Sequence, residues 1–155
     1  MVLLAFTGLL LNAVGALAQE TYKSYCNSRH GYCISYPGSL ILQSKASSGD
    51  GDSFVSEDGQ ATLTVWGASD SLQKELKAGY KSSMRGKKVT YNVLRKNWYV
   101  ISGYTKQNRI FYQKTVLLNG VLKNFLLEYP TAKREVYDKT CRLIGNSLMG
   151  DGSIF

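Results

Sequence analysis

The first candidate for chemistry in this sequence is the acidic stretch SGDGDSFVSEDG, which places four carboxylates within positions 50–58. An EF-hand calcium loop would need a third acidic or amide ligand, a glycine and a closing glutamate. The chain has Phe54, Val55 and Ala61 at those positions, so the calcium motif fails. Because aspartate and glycine are common turn residues, we expect two turns and no metal site. The pair Asp58-Gly59 predicts a hairpin in which both residues have positive φ.

The single histidine of the sequence, His30, is the second candidate. A triad of nucleophile, histidine and carboxylate would have to use it. It lies in a polar loop, and the chain has no G-x-S-x-G nucleophile motif. We therefore expect a solvent-exposed loop histidine and no catalytic residue. The alternative is a hydrolase that uses scattered carboxylates, since strand pairing could bring Glu57, Asp58 and Glu128 together.

Three cysteines, an odd number, predict one disulfide and one remaining thiol. Cys26 and Cys33 flank the turn-forming stretch NSRHGY, and a bond between them closes a loop worth about 2.5 kcal/mol of stability. The spacing of Cys26, His30 and Cys33 would also permit a metal, but an oxidising compartment favours the disulfide. Cys141 falls on an apolar helical stripe, which predicts a small buried residue. A Cys33–Cys141 bond remains the alternative.

The first eighteen residues have the features of a signal peptide. They carry no charged side chain, are mostly apolar and end in Ala16-Leu17-Ala18, an A-x-A cleavage pattern. A membrane anchor is the alternative, but the run is short for a span and is interrupted by Asn12. We therefore expect an exported protein, periplasmic or secreted, in which residues 19–155 form one globular domain.

Charge and aromatic content indicate the kind of partner. The chain has 19 lysines and arginines against 11 acidic residues, a net charge of +8. Such an excess favours an acidic protein or an anionic envelope component, including peripheral contact with a membrane, although it could serve solubility alone. Export makes nucleic acid an unexpected target. Aromatic and basic residues interleave in the sequence, which would suit stacking on a ligand. The candidate binding residues are Lys74, Lys77, Lys81 and Arg85 on a helix, Tyr99 and Tyr112 on strands, and Arg109 in the connection before a strand.

The elements that must position these residues follow from periodicity. Residues 31–43 predict two short strands around the turn Pro37-Gly38, and two further strands flank Asp58-Gly59. Residues 69–85 have a helical period, with a cap at Ser69 or Asp70 and a stop at Gly86. The predicted buried stripe of this helix consists of Leu72, Leu76, Tyr80 and Met84.

Four strands and a closing helix follow. The strands are predicted at residues 89–94, 98–104, 110–118 and 121–129, and their short connections require antiparallel neighbours. Asn119-Gly120 predicts another hairpin turn. After Pro130, Thr131 is expected to cap a helix over residues 132–148 that turns Val136, Tyr137, Cys141, Ile144 and Leu148 inward. The fold class is therefore α+β, with one antiparallel sheet of about six to eight strands and two helices packed on it.

The run of short motifs GYCISYP, GDG, SEDGQATLTVWG, WYVISG and FLLEYP, within residues 31–148, resembles the PsbP-like and Mog-like α/β/α sandwich superfamily. It is also similar to uncharacterised exported bacterial proteins of that type. The resemblance implies the fold and a role in binding or assembly. It implies no catalytic residue set and no cofactor.

Together these features predict a non-enzymatic, exported accessory protein that recognises a protein or an anionic partner through a basic and aromatic surface. The alternatives are the envelope hydrolase and an immunity or inhibitor protein directed against a secreted toxin or envelope enzyme.

Overall fold

The structure is a computed structural model, and it describes residues 20–45, 47–70 and 75–148. The predicted signal peptide, Leu72 and Lys74 lie outside these residues. Within them the chain forms nine strands, two α-helices and one 3-10 turn. They are β1 (Tyr22–Asn27), β2 (Tyr32–Pro37), β3 (Leu40–Lys45), β4 (Gly51–Ser56), β5 (Thr62–Ser69), α1 (Glu75–Ser83), β6 (Lys88–Leu94), β7 (Trp98–Tyr104), β8 (Ile110–Leu118), β9 (Val121–Tyr129), the 3-10 turn Thr131–Lys133 and α2 (Arg134–Ser147).

Seven strands form one antiparallel sheet in the order β3-β4-β5-β9-β8-β7-β6. The four strands from β6 to β9 are consecutive neighbours, as their short connections predicted. The α+β fold class is thus confirmed. The order also makes β3 and β6 the two terminal strands of the sheet, at opposite edges.

The remaining two strands form a separate hairpin. The sequence pattern predicted β2 as a strand of the main sheet, but β2 pairs with β1 instead. The sequence of β1, YKSYCN, shows no clean apolar alternation because most of its side chains are exposed. This strand was therefore not predicted. The hairpin packs on the sheet through Tyr25 and Tyr36, whose ring centroids lie 5.6 and 4.6 Å from that of Phe54.

The sheet has two differently covered faces because strand side chains alternate between them. The α2 face is covered by α2 and by the β1–β2 hairpin, and its buried residues include Leu63, Phe125 and Ile144. The α1 face is covered by α1, which packs on Ile101 and Phe111.

The cysteine predictions are confirmed. Cys26 and Cys33 stand opposite each other in register on β1 and β2 and form a disulfide. Cys141 is a buried free thiol on α2. Burial raises the pKa of this thiol to about 12, so it stays protonated and unreactive.

The two helices differ in detail from their predictions. Ser69 is the last residue of β5, so the cap predicted there is wrong. The carboxylate of Asp70 accepts a hydrogen bond from the backbone N–H of Leu76. The helix ends at Ser83, two residues before the predicted end, and Gly86 follows in the turn with a φ of 71°. Thr131 begins the 3-10 turn, which has no side-chain capping bond, so its predicted capping role is wrong. Val136 is 57% exposed because successive helical residues turn by about 100° and Tyr137 already faces the core.

The two predicted hairpin turns also differ. Asn119 and Gly120 both have positive φ, 53° and 72°, as a type I′ turn requires. At the other hairpin only Gly59 has positive φ, 68°, so the predicted geometry there is wrong. The N–H of Gly59 donates to the carbonyl of Ser56 instead, and a longer loop results.

We predict that replacing Cys26 and Cys33 together by serine lowers the free energy of unfolding by about 2.5 kcal/mol, because the eight-residue loop is released in the unfolded chain. Urea unfolding of the double variant and of wild type, with and without reductant, measures this. Reductant should reproduce the loss in wild type and leave the variant unchanged. Equal stability of all four samples would contradict the prediction.

Candidate binding surface

The sequence charges are divided between the two edges of the sheet. Residues 20–70 contain six acidic side chains against three lysines and arginines, whereas residues 75–114 contain one acidic side chain against ten. The second segment forms α1, β6, β7 and half of β8, at one edge of the sheet. The first segment includes β3 and β4 at the other edge. The formal charges of the two segments are −3 and +9, so the positive charge is concentrated at the edge formed by the second segment.

The exposed cations of α1 lie on the flank of the helix above β6. The hydroxyl of Tyr80 donates to Oδ1 of Asn92 on β6 at 2.7 Å, which identifies that flank. With about 100° per residue, Lys77 and Lys81 lie about 60° and 100° beyond Tyr80, on the side away from the core. Arg85 lies in the turn between α1 and β6, two residues after the helix ends at Ser83. All three are exposed.

A buried polar network fixes α1 on the sheet. The amide of Gln113 donates to the hydroxyls of Ser83 and Tyr99, each at 3.0 Å, and those hydroxyls are 3.2 Å apart. The side chain of Tyr99 is 2% exposed, so its predicted place on the binding surface is wrong. It faces α1 because β7 alternates its side chains. Tyr99 therefore holds the helix in place and does not reach a partner.

Two other predicted binding residues lie elsewhere. Arg109 donates to the backbone carbonyl of Glu128 at 3.3 Å and to that of Gln60, so it ties the β7–β8 loop to β9 and to the β4–β5 turn. Tyr112 lies on the α2 face and stacks on Phe125 with ring centroids 5.7 Å apart. Burial raises its pKa to about 12. The structure thus brings Lys77, Lys81 and Arg85 of the predicted set to one surface, and Lys74 lies outside the described residues.

This surface also contains residues that were not among the candidate binding residues. Lys87 and Lys88 precede or begin β6, and Arg95 and Lys96 follow it, so both ends of the strand carry cations. The ammonium of Lys87 lies 4.5 Å from the ring centroid of Phe111, and burial lowers its pKa. A window count of charge could have found them, but their place at an edge depends on topology. We call the following set the basic edge: Lys77, Lys81, Arg85, Lys87, Lys88, Arg95 and Lys96.

His30 is not the solvent-exposed histidine that was expected. Its side chain is 9% exposed, and its Nε2 lies 3.0 Å from Oδ1 of Asp50. The imidazole packs over Gly67, where a Cβ would come within 2.4 Å of the ring. This hydrogen bond lowers the pKa of Asp50. The contact docks the disulfide-closed loop on the sheet, so the role of His30 is structural.

The candidate carboxylates of a hydrolase are not gathered in one cleft. A cleft of about 340 Å³ is lined by Glu57 and Asp58, together with Lys133 and Tyr137. Asp58 forms an ion pair with Lys133 and accepts a 2.6 Å hydrogen bond from Ser56. Glu128 is not part of this cleft.

Among the described residues, no three histidine, cysteine or acidic side chains are arranged to hold a metal ion. Neither of the helices in this part of the chain has the length and apolarity that a bilayer crossing requires.

Comparison with known proteins bears on the fold. No protein-family profile matches the sequence, and no curated protein matches it. The fold is similar to that of cyanobacterial PsbP from Synechocystis sp. PCC 6803. The two structures agree with a TM-score of 0.60 at 16% sequence identity, over 88% of this chain and 96% of that one. The PsbP-like fold predicted from the sequence is therefore confirmed, and at this identity the likeness concerns the fold alone.

We predict that Tyr99→Phe lowers the free energy of unfolding by about 1 kcal/mol, because the buried amide of Gln113 loses one acceptor. Urea unfolding measures it. The matched control is Tyr91→Phe, since Tyr91 is 55% exposed and the change should stay within about 0.5 kcal/mol. Equal effects of both substitutions would contradict the proposed network.

We predict that the contribution of Asp58 to the stability of the fold depends on pH. The hydrogen bond from Lys133, and then that from Ser56, hold the pKa of Asp58 below its ordinary value of 3.8. A lowered pKa in the folded state stabilises the protein above pH 3.8, and this contribution is lost as the pH falls through the folded value. Asp58→Asn should therefore be less stable than wild type at pH 7, with a difference that shrinks below pH 3.8. Urea unfolding across pH measures this, with Glu57→Gln as the control. A difference independent of pH would contradict the prediction.

Proposed function

We propose that this chain is an exported, non-enzymatic binding protein that recognises an anionic partner through the basic edge. The partner is an acidic protein or another anionic component of the cell envelope. The observation that carries this proposal is the segregation of charge, with ten cations against one acidic residue over residues 75–114, and seven of the ten form the basic edge.

The cations lie close enough together to act jointly on one anionic ligand. Lys77 and Lys81 are four residues apart on α1, so their Cα atoms are about 6 Å apart, and Arg85 follows in the turn after the helix. The Debye length at physiological ionic strength is about 8 Å, so neighbouring charges act together on a ligand. A cationic field of this kind steers anionic partners and raises their association rate.

The chemistry of the carboxylates favours binding over hydrolysis. Asp58 is held by Lys133 and Ser56, and Glu128 lies apart from the cleft that contains Glu57. Export is supported by the leader features of residues 1–18 and by the Cys26–Cys33 disulfide, which an oxidising compartment maintains. The sequence resemblance to exported bacterial and Mog-like proteins is consistent with the same role.

The test is a charge reversal with a matched control. We predict that changing Lys77, Lys81 and Arg85 together to glutamate weakens binding of poly-L-glutamate at least tenfold. Three exposed contacts of about 0.5 kcal/mol each account for that factor. The control changes Lys23, Lys139 and Arg142, also exposed, to glutamate. Net charge falls equally in both variants, so only position differs.

Isothermal titration calorimetry at physiological salt measures both affinities, and circular dichroism verifies that both variants fold. The control should keep its affinity within about twofold of wild type. Equal weakening in the two variants would mean that net charge alone attracts the polymer, and would overturn the placement of the site. Vesicles that contain phosphatidylglycerol, tested in parallel, separate a membrane surface from a polymer as the preferred anion.

A further inference from the structure

The strand β6 ends the sheet without a neighbour on its outer side. It pairs with β7, and no strand among the described residues pairs with its other edge. Its residues are largely exposed, including Thr90, Tyr91 and Asn92. A terminal strand of this kind presents unpaired backbone N–H and C=O groups, which form a template for another strand.

The charges at the two ends of β6 determine which kind of strand can pair with it. If two copies of β6 paired antiparallel around their centres, Lys87 and Lys88 of one would face Arg95 and Lys96 of the other. Like charges at such positions oppose association, and lysines at sheet edges commonly have this effect. The other terminal strand, β3, reads LILQSK and offers no acidic residue to the basic edge. An acidic segment from a different protein would meet attraction at both ends of β6.

The two faces of the edge differ in chemistry. Tyr91 and Val93 pair with Ser102 and Val100, whose side chains lie on the α2 face, and Tyr91 is 55% exposed. Asn92 lies on the α1 face, where Tyr80 ties it to the helix flank that carries Lys77 and Lys81. An added strand would alternate its side chains between the same two faces. Apolar side chains would pack beside Tyr91 and Val93, and acidic ones would lie below the cations of α1.

We propose that β6 is a strand-addition site for an extended segment of a partner protein in which acidic and apolar residues alternate. The segment becomes an eighth strand of the sheet. Backbone hydrogen bonds provide affinity, and the alternation provides specificity. This inference rests on the proposed function, because it uses the basic edge, and it names the class of partner.

The test compares two synthetic peptides of one composition. In the first, five glutamates alternate with five valines; in the second, five glutamates precede five valines. Wild-type protein should bind the alternating peptide at least tenfold more tightly by fluorescence anisotropy. Amide hydrogen exchange of residues 90–94 should slow in its presence at least tenfold, and that of β3 should not change.

A matched pair of variants separates strand addition from charge attraction. Tyr91→Ala should weaken binding of the alternating peptide about fivefold and leave poly-L-glutamate binding unchanged. The control is Tyr22→Ala, on β1, where the tyrosine is 41% exposed. This change should affect neither ligand.

The outcomes distinguish the two proposals. If poly-L-glutamate binds the basic edge but both peptides bind equally and the amides of β6 exchange unchanged, strand addition is wrong and the proposed function stands. If neither poly-L-glutamate nor either peptide binds, both are wrong. Protection of β6 that rises with protein concentration in the absence of peptide would make a second copy of this chain the occupant, and would also overturn the inference.

Discussion

The basic edge depends on the buried network of Ser83, Tyr99 and Gln113, which fixes α1 against the sheet. A helix of nine residues is too short to be stable alone, so its position comes from packing and from these bonds. A tyrosine and a glutamine buried at 2% and 4% exposure would destabilise the fold without partners, and each provides one for the other. Because the helix is held, its outer cations keep a constant relation to the neighbouring strand edge.

The fold itself does not explain a function, and the likeness to PsbP extends no further than architecture. The features that distinguish this chain are the different charges at the two sides of its sheet. The acidic turns lie near the edge formed by β3 and β4, and the disulfide hairpin is docked beside them on the α2 face, where His30 fits over Gly67. The other edge holds the basic residues and an open strand. A partner that brings negative charge to this second edge gains both electrostatic attraction and unpaired backbone groups, which a neutral or basic partner would not gain together.

Much of the architecture could be predicted from the sequence, because it depends on local patterns. The strands from β6 to β9 follow from apolar runs separated by short turns, and the Cys26–Cys33 bond follows from a turn between two cysteines. The positions of the remaining residues depend on contacts between parts of the chain that are distant in sequence. Tyr99 and Tyr80 are both aromatic residues near lysines, yet only the alternation of β7 places Tyr99 beneath α1. The burial of His30 depends on Gly67, which lies 37 positions further along the chain. The exposed edge of β6 follows from strand order alone.

The central claim is that an anionic ligand contacts the basic edge. Its most direct test is a chemical-shift titration of uniformly ¹⁵N-labelled protein with poly-L-glutamate at physiological salt. The account predicts that the largest amide shifts fall within residues 77–96, and that the amides of α2 and of residues 47–58 remain unchanged. Shifts that are spread evenly over the cationic residues of both helices, or centred on α2, would contradict it.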